Sequence, residues 1–146
     1  QMSGMTDKKI AFREIEHTAD LGLEIEAADL PGLFASAGEA FYGLIADPTE
    51  IQPKEEISVS ATGECWEELF HAWLCELLAQ FNLKGFIGKQ CRVHRVEPGC
   101  VEARIKGEIL DLKRHRFYTE IKGVTYHEFK VWHEDGKWRA RVIFDV

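Results

Sequence analysis

The sequence predicts an α+β fold, with two amphipathic helices packed on one face of a mixed β-sheet or sandwich of about six to seven strands. In two stretches, residues 30–44 and 66–81, apolar residues recur every three or four positions, as on the buried face of a helix. Elsewhere, apolar and polar residues alternate in short runs that are typical of strands. The 146 residues suffice for one domain with a sizeable core.

The second helix has the strongest periodic pattern in the chain. Glu67 and Glu68 lie in its first turn, where the helix dipole favours negative charge, and Gly85 is a typical terminator. Its apolar stripe consists of Trp66, Leu69, Phe70, Trp73, Leu74, Leu77, Leu78 and Phe81. The first helix has Asp29 as its N-cap and Pro31 in its first turn. We interpret both apolar faces as core, because buried aromatic side chains dominate core energetics.

Alternation predicts strands on both sides of the second helix. The predicted strands cover residues 10–15, 21–27, 57–61, 91–93, 101–105, 121–133 and 137–144. The Asp135-Gly136 pair predicts a tight hairpin between the last two. Residues 111–119 show no periodicity and are predicted to be irregular.

No internal boundary divides the pattern, so residues 5–146 are predicted to form a single domain. Residues 1–4 precede Met5 and are interpreted as an added leader or a disordered start. No apolar run reaches the length of a membrane span and no signal-peptide pattern opens the chain. We therefore predict a cytoplasmic protein without a membrane partner.

The four cysteines form no Cys-x-x-Cys pair, and their spacing fits no zinc template. Reduced thiols are the simplest interpretation in a cytoplasmic protein. Cys75, on the apolar second helix, is interpreted as a small core residue.

The charge of the chain argues against a general nucleic-acid grip. Eighteen basic and 25 acidic residues give a net charge of −7, and an acidic surface repels phosphate backbones. The densest basic run covers residues 113–116 and is interpreted as a solvated loop.

Two acidic segments frame the chain and hold its candidate metal ligands. Asp20 follows the first strand, whereas Asp145 and Val146 are the last two residues of the sequence. If the fold brings them together, two side-chain carboxylates and the terminal carboxylate of Val146 converge, and such oxygen clusters suit calcium or magnesium. The alternative is that Asp20 caps a turn and the C-terminus is simply exposed.

Three further residues are candidates for a role beside this acidic corner. Lys122 would hold a phosphate or an acidic group as a point charge, or it is an ordinary surface lysine. His17 and His127 are candidate ligands or general bases, although a lone histidine is more often structural. The sequence contains no glycine-rich phosphate loop, no Gly-x-Ser-x-Gly elbow and no His-Glu-x-x-His. An enzyme of familiar type is therefore not predicted.

Four segments resemble the signatures of the archease family, in the same order and with similar spacing from about residue 12 to 146. They read HTADLG at residues 17–22, WLCELL at 73–78, EIKGVTYH at 120–127 and VIFDV at 142–146. The family commonly has asparagine where this chain has Cys75, and often alanine where it has Gly123. The resemblance implies a strand-helix-strand-strand type of module, which agrees with the predicted layout.

The resemblance also implies a function that the residues alone do not reach. Archeases are non-enzymatic partners of the RtcB-type RNA ligase of tRNA splicing and RNA repair, and promote its guanylylation and repeated turnover. The metal ligands implied are Asp20, Asp145 and Val146, with Lys122 nearby. The implied cofactor is a divalent cation, calcium first and magnesium or manganese as alternatives.

Three other functions remain open from the sequence. In the first, the protein is a chaperone or specificity modulator of a tRNA methyltransferase, which the resemblance to archeases also implies. In the second, it is a small metal-dependent hydrolase with His17 or His127 as general base. In the third, it is a passive RNA-binding module, and the net charge counts against this function.

Overall fold

A computed structural model describes the backbone of residues 12–16 and the backbone and side chains of residues 20–146. The predicted α+β class is confirmed. The described helices are α1 (Leu30–Ile45) and α2 (Trp66–Lys84), and Pro48–Glu50 adds a single 3-10 turn. The described strands are β1 (Phe12–Glu16), β2 (Asp20–Ala27), β3 (Glu55–Thr62), β4 (Phe86–Glu97), β5 (Cys100–Ile109), β6 (Gly123–Glu134) and β7 (Lys137–Asp145). The proposed leader at residues 1–4 and the candidate His17 lie outside the described residues.

The strands divide into two sheets rather than forming one. One sheet has the order β1-β2-β7-β6 and the other β3-β5-β4, and neighbouring strands are antiparallel in both. Each helix contacts both sheets: α1 packs on β4 and β2, and α2 packs on β3 and β6. The helices therefore join the sheets, and each sheet buries its apolar face against them.

Local signals set the helix ends where the sequence predicts them. The Asp29 carboxylate accepts the Gly32 N–H at 2.8 Å and caps α1. Gly85 ends α2 in the left-handed region, at φ 72°, where a residue without Cβ is favoured. Its N–H donates to the Phe81 carbonyl at 2.7 Å.

The two apolar helix faces meet in an aromatic core, as predicted. Phe34 of α1 packs edge-on against Phe70 of α2, with ring centroids 5.1 Å apart. The buried Trp73 donates its indole N–H to the Phe34 carbonyl at 3.0 Å, which satisfies a polar group in an apolar environment.

The segment at residues 111–119 is irregular, as predicted, but its basic run is not simply a solvated loop. His115 is 4% exposed, and its Nε2 lies 2.9 Å from the buried carboxylate of Glu108. Arg114 donates to the other oxygen of the same carboxylate at 2.5 Å. A buried acid from β5 thus neutralises part of the run and anchors the connection between the two sheets.

Tyr42 of α1 tests whether the polar groups buried in this core are hydrogen-bonded. Its side chain is 2% exposed, and its hydroxyl has no hydrogen-bond partner among the described residues. Because a buried unpaired hydroxyl costs about 1–3 kcal/mol, Tyr42→Phe is expected to raise the free energy of unfolding by about 1 kcal/mol. Urea denaturation of both proteins measures the difference.

Tyr118→Phe is the comparison variant, because burial and the neighbouring Asp47 carboxylate raise the pKa of Tyr118, as expected for a hydroxyl beside an acceptor. That variant is expected to lose about 1 kcal/mol of stability. A loss of the same size in Tyr42→Phe would show that the Tyr42 hydroxyl is satisfied after all.

Candidate functional site

The register between β2 and β7 brings the two ends of the sequence pattern together. Asp20 lies directly opposite Asp145 in the antiparallel ladder. Residues directly opposite in such a ladder point to the same face, with Cβ atoms about 4.5–5.5 Å apart. The register therefore brings together Asp20 and Asp145, the two side-chain carboxylates of the predicted acidic corner, whereas the Val146 side chain packs against the core.

Alternation decides which face the two carboxylates occupy. Leu23 of β2 and Val142 and Phe144 of β7 are fully buried against the helices. Asp20 and Asp145 have the opposite parity and lie on the outer face of the sheet, where Asp145 is exposed and Asp20 is half-buried.

Two cross-strand pairs on this outer face are complementary in charge, and the uncharged pair of Gly22 and Ile143 separates them from Asp20 and Asp145. Arg139 Nη1 lies 3.0 Å from Glu26 Oε1, and the two residues are register partners. Arg141 Nη2 lies 2.8 Å from Glu24 Oε2 in the next charged pair.

Asp20 and Asp145 close the same row with two negative charges. No ion pair to either carboxylate is formed by residues 20–146. Like charges directly opposite each other destabilise a sheet. Among the described pairs of β2 with β7, this is the pair whose facing negative charges an added cation would offset.

Strand β6 brings Lys122 to the same corner. Gly123 is the register partner of Asp145 on its other side. The Lys122 N–H donates to the Asp145 carbonyl at 2.7 Å, and its side chain is exposed. Lys122 immediately precedes β6, whereas the sequence predicted it inside the strand. A Cβ added at Gly123 would have nothing within 4 Å, so alanine would fit there without strain.

His127 lies apart from the carboxylate pair. It belongs to the stretch between Thr125 and Lys130 that leaves the β6–β7 ladder. Its N–H donates to Thr125 Oγ1 at 3.2 Å, and its Nε2 lies 3.6 Å from the neighbouring Glu128 carboxylate. None of these contacts connects His127 to Asp20 or Asp145.

Among the described residues, the acidic side chains at the corner offer oxygen donors. Within residues 20–146, no cluster of three or more His, Cys, Asp or Glu side chains has a geometry that would hold a metal ion. Carboxylate oxygens such as those of Asp20 and Asp145 are ligands that suit hard cations.

Sequence reasoning missed a second set of contacts to β6. His71 of α2 places its Nε2 2.8 Å from the Val124 carbonyl, beside the strand end that carries Lys122. Glu67, one turn earlier, accepts the Val131 N–H at 3.3 Å. The available signal was the i, i+4 spacing of two polar residues within a helix otherwise read only for its apolar stripe.

Comparison with known proteins places this geometry in a family. Residues 12–146 match the model of the Archease protein family. The chain belongs to the archease family. A relative named "Protein archease" from Methanopyrus kandleri is 36% identical over 138 residues, which cover 92% of this chain and 99% of that protein.

Solved structures of similar chains agree with the fold. The solution structure of protein 1598 of Methanobacterium thermoautotrophicum has a TM-score of 0.80 and 29% identity, and the match covers 93% of this chain and 99% of that one. A crystal structure from Thermotoga maritima, titled as an archease and possible chaperone, has a TM-score of 0.64. At 23% identity, that second match supports the archease fold alone.

The family match covers all four segments quoted above, including both ends of the acidic corner. Among the described residues, neither archease helix is long and apolar enough to cross a bilayer.

Proposed function

We propose that this archease is a non-enzymatic activator of an RtcB-type RNA ligase and acts through a divalent cation held at the acidic corner. The ligands in this proposal are the carboxylates of Asp20, Asp145 and Val146, and the backbone of Lys122 is hydrogen-bonded to that of Asp145. Calcium is the first candidate ion, with magnesium and manganese as alternatives.

The observation that supports the proposal is the like-charged pair at the end of the β2–β7 ladder. On this sheet face, Glu24 and Glu26 each form an ion pair with the arginine opposite, whereas, among the described residues, the two facing aspartates add no stabilising contact between the strands. Such a pair destabilises the sheet unless a cation compensates it, so a binding role gives a reason for both residues.

The corner also has the access that an activator needs. Asp145 and Lys122 are exposed, and the space above Gly123 is open to 4 Å. A partner's metal- and nucleotide-binding pocket can therefore approach the carboxylates without displacing the core. In this proposal, the two aspartates orient the cation and Lys122 contacts a phosphate or an acidic group of the ligase as a point charge.

The other candidate functions have less support. With a tRNA methyltransferase as the client, the protein would still be a non-enzymatic partner, and only the enzyme that it assists would differ. A metal-dependent hydrolase needs a general base at the metal; the contacts of His127 are with Thr125 and Glu128 rather than with either aspartate, and His17 lies outside the described residues. A passive RNA-binding role is disfavoured by the net charge of −7 and by the neutralisation of Arg114 and His115 at Glu108.

The proposal is tested by guanylylation of an RtcB-type ligase from the same organism, with GTP and each divalent cation in turn. Wild-type protein is expected to accelerate guanylylation and to allow repeated turnover. Asp20→Asn, Asp145→Asn and Lys122→Met are each expected to reduce this acceleration roughly tenfold or more, since a charge-assisted contact contributes about 1.5–3 kcal/mol.

Glu26→Gln is the control, because Glu26 lies on the same sheet face but is paired with Arg139 and Lys137. It is expected to leave activation unchanged. Full activation by all three corner variants, with the variants folded, would reject the proposal. Guanylylation that is unaffected by wild-type protein, together with altered methyltransferase specificity, would favour the other client.

A further inference from the structure

Among the described strands, β6 is an edge strand with β7 as its one neighbour. Its ladder with β7 is interrupted: pairing runs from Gly123 to Thr125 and resumes at Lys130. Between them Glu128 has a φ of 54°, so residues 126–129 form a bulge. The short segment that places Lys122 beside Asp145 is therefore held to its sheet by few pairs.

Helix α2 supplies partners to the outer edge of β6 on both sides of the bulge. His71 Nε2 contacts the Val124 carbonyl before the bulge, and Glu67 accepts the Val131 N–H after it. Glu67 and His71 are four residues apart and so lie on one helix face. This face satisfies edge groups that a neighbouring strand would otherwise pair.

The His71 ring is fixed in both tautomer and orientation. A carbonyl oxygen only accepts hydrogen bonds, so the nitrogen facing Val124, Nε2, carries the proton. Nδ1 faces the Cys75 sulfur at 3.5 Å. Burial raises the pKa of the Cys75 thiol, which therefore keeps its proton at neutral pH and donates to Nδ1. Tyr126 stacks on the ring, with centroids 3.8 Å apart and planes within 11°.

We infer that His71, oriented by Cys75, is a positioning residue that holds the start of β6 so that Lys122 lies beside the Asp20–Asp145 pair. His71 acts through the Val124 carbonyl and does not itself reach the carboxylates. The placement of Lys122 follows from the hydrogen bonds alone, whereas its consequence for cation binding rests on the proposed function.

The test measures hydrogen exchange of single amides by NMR in wild type, His71→Leu and His71→Gln. The Lys122 amide, which donates to the Asp145 carbonyl, is expected to exchange about tenfold faster in His71→Leu, the equivalent of one lost hydrogen bond. The Leu110 amide, which donates to the Gly85 carbonyl just beyond the ends of β5 and α2, is the internal reference and is expected to keep its rate. His71→Gln retains an N–H donor and is expected to restore most of the protection.

Glu67→Ala is the matched control, because it removes a contact between the same helix and the same strand on the far side of the bulge. It is expected to accelerate exchange at Val131 and to leave Lys122 unchanged. Nitrogen-15 shifts of the His71 ring are expected to report the Nε2-protonated tautomer in wild type and a mixture in Cys75→Ala. Calcium affinity is expected to fall severalfold in His71→Leu and to recover in His71→Gln.

An unchanged Lys122 rate in His71→Leu would overturn the inference, as would equal acceleration by Glu67→Ala. If wild type binds no cation, the proposed function fails, and the exchange rates still decide whether His71 positions Lys122.

Discussion

Replacing Glu108 with glutamine is expected to lower the free energy of unfolding by about 3 kcal/mol at neutral pH, because it leaves buried donors without their charged partner. The Glu108 carboxylate is 3% exposed and accepts the Gln52 N–H at 2.8 Å and the His115 Nε2–H at 2.9 Å. The His115 Nδ1 accepts the Asp111 N–H at 2.8 Å, which fixes the proton on Nε2. A glutamine in this position would direct N–H groups at one or more of these donors.

The pH dependence of stability gives the same prediction an independent check. Burial raises the pKa of Glu108, but the hydrogen bonds from Gln52, Arg114 and His115 outweigh it and lower the pKa from 4.5 to about 2. A lowered pKa means that the contribution is complete above pH 4.5 and is lost as the pH falls from 4.5 towards 2. A shift of this size corresponds to about 3 kcal/mol.

Urea denaturation between pH 2 and 7 measures both effects. Wild type is expected to lose stability steeply below pH 4.5, and Glu108→Gln is expected to show a flatter profile in that window. Glu50→Gln is the control, since the ion pair of Glu50 with the exposed Arg116 at 3.8 Å contributes little, and glutamine can still accept the Arg116 N–H that Glu50 accepts at 2.7 Å. Parallel profiles for wild type and Glu108→Gln would contradict the assignment.

Asp20→Asn is expected to have opposite effects with and without a divalent cation. Without the cation, it removes a like charge facing Asp145 and is expected to raise the free energy of unfolding by about 0.5 kcal/mol. With the cation at about a hundred times its Kd, wild type gains about 2.7 kcal/mol, and the variant is expected to lose most of this gain. Thermal denaturation in EDTA and in excess calcium measures both differences.

Asp145→Asn is expected to behave in the same way, because the two carboxylates are register partners. Glu26→Gln breaks existing ion pairs and is expected to lose a small amount of stability in both solutions, with an unchanged response to calcium. A drop in stability for Asp20→Asn in EDTA would mean that its carboxylate has a structural partner instead.

The sequence predicts the elements of this fold because their signals are local. The apolar stripe of α2, the N-cap at Asp29 and the terminator at Gly85 all depend on neighbours within a few residues. The alternation of Leu21, Leu23 and Ile25 likewise predicts a strand, and β2 includes these residues but begins one residue earlier, at Asp20.

The division into two sheets could not be predicted in this way. It depends on strand pairings between distant segments, such as β2 with β7, and alternation shows which face is buried but not which strand lies alongside. The sequence could therefore predict the acidic corner only on the condition that Asp20 and Asp145 lie close together. The register between β2 and β7 was needed to show that they do.

The Glu108 cluster and the His71 contacts were missed for a related reason. Their partners are 53 to 66 residues away for His71 with Val124, Gln52 with Glu108 and Glu50 with Arg116. Side-chain bonds over such separations leave no periodic signal. Arg114 and His115 lie only six and seven residues from Glu108, but the irregular segment that connects them follows no period, so the run looked like an ordinary charged loop.

Calorimetric titration of calcium into wild type, Asp20→Asn and Asp145→Asn tests most directly whether the facing aspartates form a cation site. Wild type is expected to bind one ion, and each variant is expected to bind it roughly tenfold more weakly or worse, the equivalent of at least about 1.4 kcal/mol. Equal affinity in all three proteins, or no binding of calcium, magnesium or manganese by wild type, would contradict the account.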